Sequence, residues 1–137
     1  MTLPIPPDAQ GLLIRTDFTD DAAWDTFRKT LQRHLDDYRA SMMFLDDRAH
    51  DGLTPGGLVR LAEGDEDLAI AFLVDGEALR DPEYPVVAVD LADEPGRAFR
   101  VIADEVFSVQ TNLDLATTDF AGYARAAGRG GVYRGGV

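Results

Sequence analysis

Cysteine is missing from this sequence. Its absence excludes disulfides, thiolate metal sites and a cysteine nucleophile, and it suits a reducing compartment. Lysine is almost missing as well. Lys29 stands alone, and every other basic side chain is arginine. That bias, with abundant Ala, Gly, Asp and Val, points to a high-GC genome. Serine occurs only as Ser41 and Ser108, and neither lies in a G-x-S-x-G elbow. Histidine occurs only as His34 and His50, too few for a zinc site without thiolates. No apolar run approaches the ~18 residues of a membrane helix. Met1-Thr-Leu-Pro-Ile-Pro-Pro7 carries no basic leader segment. No nucleotide-binding glycine pattern and no EF-hand spacing is present. These absences nominate no catalytic residue and no organic cofactor, argue against a membrane partner, and lead us to expect a cytoplasmic protein.

What is there is acid. Against 13 basic residues stand 25 Asp and Glu, a net charge of −12. A field of that sign keeps a protein soluble, repels nucleic acid and steers toward basic partners. The Gly128-Arg129-Gly130-Gly131 stretch is faintly like RNA-binding Arg-Gly tails, but the overall charge outweighs it. No nucleic-acid partner is expected.

The 137 residues fit one domain of the α/β (or α+β) class. Pro4, Pro6 and Pro7 make residues 1–11 an irregular head. Residues 12–17 open on a continuous apolar run, as in a strand covered on both faces. Trp24, Phe27, Leu31 and Leu35 recur at helical spacing over residues 20–35, with acids early and bases late. Residues 42–45 form a second strand. Thr54 and Pro55 start a short helix that Gly64 stops. Residues 68–74 and 86–89 are further strands, and Phe99 to Ile102 return antiparallel after an Asp93–Gly96 turn. Phe107 and Val109 alternate with Ser108 and Gln110, which predicts another strand. Residues 117–127 form a last helix, and the Gly-rich tail 128–137 closes as a strand or frays. The alternation implies a mixed, partly parallel sheet of five to six strands packed with about three helices, its first three strands parallel.

One regularity suggests a site. Each of the first four apolar runs ends in Asp: Asp17, Asp46-Asp47, Asp75 and Asp90. Carboxyl ends of parallel strands share a rim, and ligands of open α/β sheets bind there. Clustered carboxylates want a cation, and hard oxygen donors select Mg²⁺ or Ca²⁺. Asp is equally the ordinary residue of helix caps and turns. The link from Asp75 to Val86 is also short for a parallel crossover. A second candidate is the polar stretch holding Gln110, Asn112, Asp114 and Asp119. Its mild role is capping, and its functional role is a partner-binding patch.

Several stretches together resemble a family of small, uncharacterised actinobacterial proteins described as a domain of unknown function. They are residues 13–21, Gly52-Leu53-Thr54, residues 89–97 with Asp93-Glu94-Pro95-Gly96-Arg97, and residues 112–120. The resemblance spans nearly the whole chain and implies no activity, cofactor or site residue. The leading expectation is therefore a non-catalytic protein-binding module, immunity- or inhibitor-like, with a basic partner. A cation-dependent enzyme or cation-binding domain on the Asp rim is one alternative, and a small-molecule binder at the sheet edge is another. A homodimer paired through an edge strand is also compatible with the pattern.

Overall fold

The computed structural model describes residues 10–64 and 68–135. The irregular head expected over residues 1–11 lies outside the described residues up to residue 9, as do the last two residues of the tail.

β1 (Leu12–Arg15) is buried along its whole length. Its apolar run allows this, because a central strand has cover on both faces. α1 (Asp21–Asp37) begins where the Asp20 carboxylate accepts the Ala23 amide, and it buries the expected Trp24, Phe27, Leu31 and Leu35. β2 (Met43–Leu45) is followed by a single 3₁₀ turn, Arg48–His50, capped by Asp47. α2 (Pro55–Leu61) has Thr54 as its cap and proline in its first turn. β3 (Ile70–Val74) passes directly into a one-turn helix, α3 (Gly76–Arg80), capped by Asp75. β4 (Val86–Asp90) and β5 (Ala98–Val101) form a hairpin. A 3₁₀ turn, Ala103–Glu105, leads into α4 (Val106–Asp114); α5 (Phe120–Ala126) and β6 (Val132–Tyr133) complete the chain.

The six strands form one mixed sheet in the order β2-β1-β3-β4-β5-β6. β1 is parallel to both β2 and β3, as expected. β4 is antiparallel to β3 and to β5, and β6 lies parallel to β5. β4 alone therefore runs against the other five.

Two expectations need correction. The segment expected as a strand around Phe107 and Val109 is the helix α4. Val106, Val109 and Gln110 are its buried positions, and the spacings of three and four that they create are helical, not alternating. With α3 as well, the sheet packs with five helices instead of about three.

Strand alternation divides the core. Leu13, Phe72, Val86, Ala88, Phe99, Val101 and Tyr133 point to one face, where α1, α3, α4 and α5 cover them. Leu12, Ile14, Leu45, Ala71, Leu73 and Val89 point to the other, which α2 covers through Leu58. This second cluster ends at β4, and β5 and β6 add nothing to it. The alternation that buries Phe99, Val101 and Tyr133 turns Ala98, Arg100 and Val132 to this second face. No described helix lies over them there.

Candidate functional site

The bare part of the second face is the floor of a cleft of about 790 Å³. Leu73, Val87, Ala98, Arg100 and Val132 form the floor. One wall is the segment Asp51–Pro55 that enters α2, and the opposite wall is the glycine turn Gly130–Gly131 before β6. The upper rim is the carboxyl end of β1 and β3, with Thr16, Asp17, Asp75 and Glu77. β1 connects outward to β2 and the chain returns to β3 on its other side. The rim between them is therefore the reversal point where open α/β sheets place ligands.

The rim is acidic and internally braced. Asp75 is the α3 cap, accepting the Ala78 amide at 3.0 Å. Its two carboxylate oxygens also receive the Arg100 guanidinium, Nη1 at 3.0 Å and Nη2 at 2.7 Å. Arg100 Nη1 donates further to the Pro85 carbonyl at 2.8 Å, and its Nε lies 2.8 Å from Glu77 Oε2. Burial pushes the Asp75 carboxyl up, but the Arg100 contacts and the Ala78 amide outweigh it and hold it below the usual carboxylate range. Arg100 is raised, first by its bond to Asp75. Asp17 Oδ1 accepts the Thr19 hydroxyl at 2.6 Å and the Thr19 amide at 2.8 Å. These bonds, with Arg80 and Arg15 nearby, lower its pKa against a small effect of burial. A Cβ at Gly76 would meet Asp17 Oδ2 and the Arg80 guanidinium, side-chain ends that would have to shift to admit it.

The lining thus holds four carboxylates (Asp17, Asp51, Asp75 and Glu77) and one guanidinium, Arg100. Because Arg100 is held by two acids and a carbonyl, it is not offered to an incoming anion. The cleft presents negative charge above a floor that is apolar except for Arg100.

The expected rim of Asp17, Asp46, Asp47, Asp75 and Asp90 forms only in part. Asp17, Asp46, Asp47 and Asp75 all follow parallel strands and share an edge. Asp90 does not, because β4 is reversed and Asp90 pairs with Ile70 at the start of β3. Asp90 lies at the opposite edge, buried, and accepts the Ala92, Asp93 and Glu94 amides at 2.9, 3.2 and 2.9 Å. It therefore shapes the Asp93-Glu94-Pro95-Gly96 turn. Asp90→Ala leaves these partly buried donors without an acceptor, an expected loss of about 2 kcal/mol. Urea denaturation measures it, and Asp90→Asn should recover part of the loss.

Nor do the remaining acids gather. Among the described residues no group of three His, Asp or Glu side chains is placed to hold a metal ion. Asp46 is bound instead to Arg15, at 3.3 Å from Nη1, and Asp47 accepts the Ala49 amide at 2.9 Å. Arg15 is itself buried, ion-paired to Asp21 at 2.6 Å and stacked over the Phe18 ring at 4.4 Å. Arginine does here what a cation was expected to do.

Each residue of the expected patch, Gln110, Asn112, Asp114 and Asp119, makes a contact within the chain, while Asp114 and Asp119 stay exposed. Gln110 is buried and donates to Asp114 at 3.1 Å. Asn112 donates to the Tyr123 hydroxyl at 2.7 Å, and Asp119 caps α5 through the Gly122 amide at 2.8 Å. These residues seat α4 and α5.

Residues that sequence reasoning missed are Asp51, Glu77, Val87, Ala98, Arg100 and Val132. The available signal was Ala98 and Arg100 on the solvent side of an alternating strand.

Residues 10–136 match a family model described as "Domain of unknown function (DUF6924)". No curated protein matches the chain. Solved structures do, among them prolyl-tRNA synthetase from Cryptosporidium parvum, crystallised with L-proline and AMP. That match has 14% identity and a TM-score of 0.50, and covers 77% of this chain but 20% of the synthetase chain. At this identity the likeness concerns the fold alone, and this chain corresponds to about one fifth of that protein. No described helix is long and apolar enough to cross a membrane.

Proposed function

The chain belongs to the DUF6924 family, whose description assigns no activity, and we propose from its geometry that it is a non-catalytic, immunity- or inhibitor-like module that binds a basic protein partner. The acidic cleft over the bare half of the sheet carries this reading. Four acids against one internally held arginine favour a cationic occupant, and a chain charge of −12 adds long-range attraction of the same sign. A cytoplasmic location and an actinobacterial source belong to the same reading, supported by the lack of cysteine and the preference for arginine.

Titration calorimetry with short peptides alternating arginine and valine tests it. Binding is expected at low salt and should weaken by roughly tenfold at moderate salt, since exposed charge pairs are screened. The matching glutamate–valine peptide should not bind. Equal binding of both peptides, or none of the arginine peptide at low salt, contradicts the reading. A second reading, a small organic cation as ligand, is favoured by the cleft volume, which falls within the range of small-molecule sites.

A further inference from the structure

Resting on that reading, we infer that the partner enters the cleft as an extended segment, and that Asp51 and Glu77 are the carboxylates that select its cationic side chain. The four acids of the lining differ in what already holds them. Asp75 is clamped by two guanidinium nitrogens and a helix amide. Asp17 is folded back onto Thr19. Both serve the chain's own geometry. Glu77 keeps one contact, to Arg100 Nε, and its side chain remains 62% exposed. Asp51 is exposed, and among the described residues its side chain has no ion pair or hydrogen bond. These two acids can accept new donors without dismantling the fold.

The floor fixes the shape of the occupant. Val87, Ala98 and Val132 come from three adjacent strands and present small side chains on a pleated surface. A helix laid on the sheet needs a broad apolar stripe, and this floor is narrow and interrupted by Arg100. An extended chain presents side chains in alternation, so one can reach the acidic rim while its neighbours rest on valine and alanine. The glycine turn leaves room for it, because nothing lies within 4 Å of a Cβ built at Gly130 or Gly131.

The arginine–valine peptide, titrated into the ¹⁵N-labelled full chain, tests this by amide shift mapping. Shifts are expected at residues 51–54, 76–77, 98–100 and 130–132. Asp51→Asn and Glu77→Gln should each weaken binding about threefold to fivefold, and together by tenfold or more. Asp37→Asn removes one charge from the far end of α1 and should change binding by less than twofold. Unaltered melting temperatures separate lost recognition from lost fold. Shifts on α1 or α4 in place of the cleft, or equal weakening by Asp37→Asn, would overturn the inference while leaving a basic-partner module standing. Failure of the peptide to bind at all overturns both.

Discussion

Replacing Phe27 with alanine is expected to cost about 3–5 kcal/mol of folding free energy. Phe27 is fully buried on α1. Its ring stacks with Trp24 at 5.7 Å and meets Tyr84 edge-on at 5.4 Å. Truncation removes the transfer free energy of the ring and leaves a void that the sheet beneath cannot close. It also withdraws the support of Tyr84, which stands at φ 52°, a conformation that costs a non-glycine residue free energy and persists only where its surroundings enforce it. Total stabilities of small domains are about 5–15 kcal/mol, so this single change approaches the limit. The urea midpoint should fall with little change in slope. Leu115→Ala, at a side chain 67% exposed, should stay within about 0.5 kcal/mol of the parent.

Arg100→Met is expected to lower stability by about 2–3 kcal/mol and to flatten its acid limb. Methionine keeps the stem but removes the paired bonds to Asp75, the contact to Glu77 and the bond to Pro85. Asp75 then stays partly buried with only the Ala78 amide. The loss is smaller than for a fully buried pair, because the Asp75 side chain is 34% exposed. The sign of the pH effect follows from the lowered Asp75 pKa. A carboxyl whose pKa drops on folding stabilises the native state above the ordinary carboxylate value of 3.8. That contribution is lost as pH falls through the lowered value. Arg100→Met removes the main lowering cause, so less stability is left to lose between about pH 5 and pH 2. Thermal melts across that range measure it. An acid limb as steep as in the parent would contradict this assignment.

Much of the fold was legible because local signals agreed with each other. The β1–α1–β2–α2–β3 half combines apolar runs with caps at Asp20 and Thr54 and the Trp24–Leu35 stripe. Neighbouring residues settle each of those choices. α4 was misread because Phe107 and Val109 alternate and are β-formers. The helical signal lay in Val106, Val109 and Leu113, spaced three and four apart. α3 has no separate signal in the sequence, because Asp75 both ends a strand and caps a one-turn helix.

The direction of β4 decided the candidate site. Its link from Asp75 was already short for a parallel crossover, and the reversal moves Asp90 to the far edge. The cleft itself was not legible. It exists because no described helix returns over β5 and β6 on one face, a fact of long-range packing with no local residue signature. What could be read was the sign of its charge. That sign follows from 25 acidic against 13 basic residues.

Ala98→Arg tests in one measurement whether the cleft is the contact surface. Ala98 is exposed on the cleft floor, so a guanidinium there fills the groove and offsets part of its negative charge without disturbing the core. The dissociation constant of the arginine–valine peptide should rise at least tenfold at an unchanged melting temperature. An unaltered constant would place binding elsewhere and contradict the account.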